Sequence, residues 1–210
     1  MQSSVANQRV LITTGAIAAA LLVLIVGLLL MSPLARRFGP LGIEHILTGY
    51  DHLAFLVMLL VPAQRLRDLV WIITAFTVAH SITLSAATLG YIVASSTWVE
   101  PVIALTILYV AVENLVRPAP TARVALTFGF GLIHGLGFAN ALSEGPLSPS
   151  ELLLALLSFN LGVEVGQLAF LAIVYPLWRT LARGTRALPA QRVLSAIVIG
   201  LCVFWLWQRL

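Results

Sequence analysis

Apolar residues fill seven runs of the chain, at 10–31, 43–61, 69–89, 98–116, 124–142, 151–178 and 190–207, separated by short stretches rich in proline, glycine or arginine. Runs of about 20 apolar residues predict helices that cross a bilayer rather than strands of a barrel. The expected fold class is therefore all-α: a polytopic membrane helical bundle of about seven transmembrane helices, forming a single domain over residues 1–210. The first run follows a short polar start containing Arg9. It is longer than the core of a typical signal peptide and no small-x-small cleavage site follows, so it reads as a retained helix. The stretch 32–40 holds Pro33, Arg36, Arg37, Gly39 and Pro40 and reads as a loop.

Polar residues inside these runs are few, and hydrocarbon penalises them, so each needs a reason. The second run opens Gly42-Ile43-Glu44-His45 and continues to Gly49-Tyr50-Asp51-His52. On one continuous helix, His45 and His52 share a face about two turns apart, with Glu44 and Asp51 on the adjoining stripe. His80 sits near the middle of the third run, with Thr77 and Ser81 beside it. His134 sits near the middle of the fifth. Asn160, Glu164 and Gln167 form one stripe of the sixth at helical spacing. Four helices thus bring a polar group to roughly one depth. Glu100 lies at one end of the fourth run and Glu113 with Asn114 at the other.

Imidazoles with carboxylates are ligands for a divalent transition ion: nickel, zinc, copper or iron. The candidate metal ligands are His45, Asp51, His52, His80, His134 and Glu164. Glu44, Glu100, Glu113, Asn114, Asn160 and Gln167 are candidate pathway groups or supports of those ligands. Structural readings stand beside these. His80 can bond between helices, Asp51 can orient an imidazole, Glu113 and Asn114 can close a buried helix end, and the stripe at Asn160 can join two helices. Gly131-x-x-x-Gly135 and Gly162-x-x-x-Gly166 are small-residue faces, expected to pack against each other near His134 and Glu164. Trp98, Trp178, Trp205 and Trp207 read as interface anchors. The last run carries no strong ligand and is expected to pack or to face lipid.

Composition narrows the choice. Hydrophobic residues make up 60% of the chain and charged residues 10%, with mean hydropathy +1.02. The net charge is +4, carried by arginines scattered between the runs, with no basic–aromatic cluster for nucleic acid. Arg65 and Arg67, then Arg117 and Arg123, then Arg179, Arg183 and Arg186 follow the second, fourth and sixth runs, whereas the loops after the third and fifth have none. The positive-inside rule then puts the amino terminus in the cytoplasm and the carboxyl terminus outside, against the sense of Arg36 and Arg37. The expected location is a bacterial inner membrane. The single cysteine, Cys202, excludes a disulfide framework, and the lack of lysine excludes Schiff-base chemistry.

The residues His45-x5-Asp51-His52, Ala79-His80-Ser81, Glu113-Asn114, Phe130-Gly131-Leu132-Ile133-His134-Gly135 and Phe159-Asn160-x3-Glu164 resemble the HupE/UreJ family over residues 42–175. The His-x5-Asp-His element is the most specific part. The family's second histidine motif has a different form here, Leu132-Ile133-His134-Gly135-Leu136-Gly137. The resemblance implies uptake of nickel or cobalt linked to hydrogenase and urease maturation, with His45, Asp51 and His52 handling the metal.

The function expected is a transition-metal permease, nickel preferred and cobalt next, and a transporter rather than an enzyme. Its partners would be the ion and the lipid bilayer, with no nucleic acid. Three other readings stay open: an intramembrane metalloenzyme with a fixed metal, a haem protein using His80 and His134, and an accessory subunit docked on partner membrane subunits.

Overall fold

The computed structural model describes residues 27, 32–63, 65–117, 123–138, 147–182 and 187–210. Among the described residues the chain is entirely helical, with α1 (Pro33–Thr48), α2 (Tyr50–Leu60), α3 (Leu66–Thr88), α4 (Ser96–Val116), α5 (Arg123–Leu136), α6 (Pro149–Leu181) and α7 (Ala187–Arg209). Helices α3, α4, α6 and α7 are each long and apolar enough to cross a membrane, and α1 with α2 qualifies as one bent span. The protein is a helical integral membrane protein. The predicted first run, 10–31, lies outside the described residues apart from Gly27.

The stretch read as a loop at 32–40 is instead the first half of α1. Ser32 caps the helix by accepting from the Leu34 amide at 3.2 Å, and Pro33 takes the first helical position, where its missing N–H costs nothing. Pro40 lies inside the helix and removes one backbone bond. The glycines around it offset that loss. A Cβ on Gly42 would run into the Phe159 carbonyl, and one on Gly162 into the Gly39 carbonyl, so α1 and α6 touch backbone to backbone. Gly42 therefore serves packing, not turning, while a Cβ at Gly39 would meet only the Ser158 carbonyl at 3.8 Å.

The predicted single helix over 43–61 is broken at Gly49, and α1 and α2 meet there at 70°. Further along, α3 stops at a left-handed glycine, Gly90 (φ 79°), with the Tyr91 amide reaching back to the Ala86 carbonyl at 2.9 Å. Helix α6 starts on a capping box, with the Ser148 amide donating to Glu151 Oε2 at 2.8 Å and the Glu151 amide to Ser148 Oγ at 3.4 Å.

The expected meeting of the two glycine faces does not occur. Gly131 lies on the Phe76 carbonyl and Ala79, and Gly135 on the His80 carbonyl and Thr83, so α5 packs on α3. Gly162 and Gly166 receive α1. Each helix carries a small-residue face, and the break at Gly49 gives α6 a different partner.

One end of the bundle is closed by a buried polar knot. Arg123 pairs with Glu113 at 3.1 Å and donates to Asn114 Oδ1. Asn114 in turn donates to the Met58 carbonyl at 2.8 Å, and its own carbonyl accepts from Gln191 at 2.9 Å. This knot ties α2, α4, α5 and α7 together. Arg123 is thus a buried strut and not a loop charge, and Glu113 with Asn114 closes a helix end. Trp178, read as an interface anchor, is buried and donates its indole N–H to the Val61 carbonyl at 3.1 Å. It satisfies a carbonyl at the end of α2. Trp98 and Trp207 are exposed, as anchors should be.

Candidate metal centre

Every histidine in the chain enters one cluster, and each comes from a different helix. The His45 and His52 rings lie 4.6 Å apart between centroids. His80 is 6.0 Å from His45 and 6.1 Å from His52, and His134 is 5.4 Å from His52.

The backbone explains the gathering. Two turns of straight helix would separate His45 and His52 by about 10 Å along the axis. The kink at Gly49 folds them together instead. A Cβ at Gly49 would stand 2.7 Å from the His45 carbonyl and 2.8 Å from His52 Nδ1. Its φ of −77° suits any residue, so the requirement there is space rather than conformation. Gly135 acts in the same way for the other pair. With no Cβ, α5 settles onto the His80 carbonyl and brings the neighbouring His134 beside α3.

Phenyl rings close around the imidazoles. Phe76 is 5.9 Å from His80 and 5.2 Å from His134, Phe55 is 5.2 Å from His134, and Phe138 is 4.0 Å from His45. Such a collar fixes ring positions and keeps water from the nitrogens. His134 is held further. Thr106 Oγ donates its one proton to the Ile103 carbonyl at 2.7 Å, so it accepts from His134 Nε2 at 2.9 Å. That bond leaves the lone pair of His134 on Nδ1, the arrangement a ligating imidazole adopts. Sequence reading passed over Thr106, because a threonine in an apolar helix usually bonds only to its own turn.

Five buried ring nitrogens have no hydrogen-bond partner: His45 Nε2, His52 Nε2, both nitrogens of His80, and His134 Nδ1. Buried polar atoms are rarely left so, because each costs free energy. Each neutral ring offers one lone pair, its other nitrogen carrying the proton, so the cluster presents up to four nitrogen donors, and a divalent ion is a group that accepts them. Among the described residues no three His, Cys, Asp or Glu side chains already stand in the close arrangement of a preformed metal site.

A cavity of about 390 Å³ is lined by His45, His52 and His134, and by Asp51, Glu100 and Arg209. Asp51, expected as a metal ligand or as the partner of an imidazole, engages an arginine: its Oδ2 accepts from Arg209 at 2.9 Å. Arg209 also stands 3.6 Å from the Glu100 carboxylate and donates to the Glu100 carbonyl at 3.2 Å. The last helix, expected to carry no strong ligand, brings a cation to the cavity, with Trp205 beneath the guanidinium at 5.8 Å. Arg209 lies just past the last apolar run, and no local pattern in the sequence points it to a site.

The remaining candidates fall elsewhere. Glu44 is exposed. Glu164 accepts from Thr74 at 2.7 Å, and Gln167 from Thr77 at 2.8 Å, so both join α6 to α3. Thr74 is about 9 Å of helix rise from His80. Asn160 donates to the Leu156 carbonyl at 2.8 Å, while its Oδ1 and Glu164 Oε2 are buried without partners. Glu164 and Gln167 are thus held along α3 from His80, at Thr74 and Thr77.

The family described as HupE / UreJ protein matches residues 11–209, nearly the whole chain. No curated protein and no solved structure matches it.

Proposed function

The chain belongs to the HupE/UreJ protein family, and from that premise we propose that it is a permease for a divalent transition-metal ion, nickel by preference and cobalt next. The observation that carries the reading is the set of five unpartnered imidazole nitrogens on four converging helices. Imidazole nitrogen suits ions of the middle and late first transition row and discriminates against magnesium and calcium, which favour oxygen. Rotation of the rings about their side-chain bonds would close them on one ion.

The rest of the chain supports movement rather than storage. Two carboxylates at the cavity raise the local concentration of cations. A site of neutral nitrogens, without a preformed cage, binds loosely enough to release. Beyond His80, Thr77 and Thr74 with Gln167 and Glu164 continue a line of oxygen groups along α3 and α6. The sequence holds no nucleotide-binding motif, so the reading includes no ATP hydrolysis by this chain. With Arg123 removed from the count of loop charges, Arg65, Arg67, Arg117, Arg179, Arg183 and Arg186 still favour a cytoplasmic knot end. The cavity then opens outside, in a bacterial inner membrane.

Transport is tested by reconstituting the protein in liposomes that contain a nickel-sensitive chelating dye. The expected result is saturable nickel influx, with cobalt competing and magnesium inert. Metal held at one per chain with no influx would contradict the permease and favour a fixed-metal enzyme.

A further inference from the structure

We propose that Arg209 is a tethered cation that occupies the carboxylates of the cavity in the ion's place, so that an arriving metal ion must displace it. The idea rests on the permease reading and concerns how the same site admits its substrate. Arg209 meets Asp51 at 2.9 Å and Glu100 at 3.6 Å, and its guanidinium spans the two acids from a third helix. Asp51 adjoins His52, and both line the cavity, as do Glu100 and Arg209. While the guanidinium is in place, the mouth holds two negative charges against one positive, and the Asp51 oxygen nearest it is engaged.

The bundle contains a second arginine–carboxylate pair, and the contrast shows which one can open. Arg123 and Glu113 have side-chain exposures of only 6% and 11%. Separating them would strand a buried charge, so that pair is structural. Arg209 and Asp51 stay 21% and 20% exposed, and Glu100 51%. Pairs open to water are weak and exchange readily. A divalent ion brings twice the charge of a guanidinium to the same oxygens and gains imidazole nitrogens behind them. Displacement of Arg209 would free the end of α7, where Trp205 and Gln208 also border the cavity. Selectivity follows as well, because an ion unable to exploit the nitrogens has less to set against the arginine.

The test is calorimetric titration of the full chain in detergent with Ni²⁺. In Arg209→Gln the nickel affinity should rise about three- to tenfold, as the guanidinium that competes for the Asp51 and Glu100 oxygens is gone. Arg209→Lys keeps the charge but cannot fork between two acids, so its gain should be smaller and in the same direction. In an Asp51→Asn, Glu100→Gln background, the Arg209→Gln gain should shrink below about twofold, because both acids for which the guanidinium competes are gone. Unchanged or weaker binding in both Arg209 variants, with the wild type binding normally, would overturn the proposal. A gain of full size in the doubly neutralised background would do so too. If the wild type itself binds no nickel, the permease reading fails and this one with it.

Discussion

His52→Ala should abolish nickel influx and lower nickel affinity by at least about 100-fold, more than the 10- to 100-fold typical for loss of a supporting partner. His52 is singled out because its ring neighbours all three others, at 4.6, 6.1 and 5.4 Å. Removing it takes away a nitrogen and also the piece that connects His45 to His134. The fold should survive, since the ring makes no hydrogen bond through Nε2 and the void borders an existing cavity. Thermal unfolding in detergent should therefore stay close to that of the wild type while titration shows the loss. An affinity unchanged by this substitution would remove the histidine cluster from the transport path.

The second large effect concerns the contact that sets the cluster's geometry. Gly162→Leu should destabilise the protein by about 3 kcal/mol or more, because overpacking a close interface costs 1–3 kcal/mol even where side chains can shift. Here the obstruction is backbone: the Gly39 carbonyl and the Gly42 Cα, neither of which can rotate away. Helix α1 would have to move off α6 and carry His45 with it, so nickel binding should fall alongside the melting temperature. Gly129→Leu is the control. Nothing lies within 4 Å of a Cβ at Gly129, so this change should cost no more than about 0.5 kcal/mol. Equal melting of the two variants would show that the α1–α6 contact is not tight.

These two sites mark what the sequence makes legible. The helices follow from the length and apolarity of the runs, and the common depth of His52, His80 and His134 follows from their positions in those runs, with His45 about two turns further along. The break at Gly49 does not, because a glycine in an apolar helix is compatible with a straight one. Its meaning comes from the His52 ring occupying the room a Cβ would take. Likewise Gly39 and Pro40 look like a loop until Gly162 is known to lie against them. Small-residue faces announce close packing without naming the partner, so the pairing of α5 with α3 had to come from the fold. Asp51 and Arg209 are 158 residues apart, and no local pattern joins them. Thr106 is hidden for the same reason: its role depends on a ring from another helix.

X-ray absorption of the nickel-loaded protein tests the central claim most directly. A first shell of nitrogen and oxygen with the outer-shell scattering of several imidazole rings, diminished in His134→Ala, is the predicted result. A spectrum of hydrated nickel without imidazole scattering, the same in wild type and variant, would contradict it.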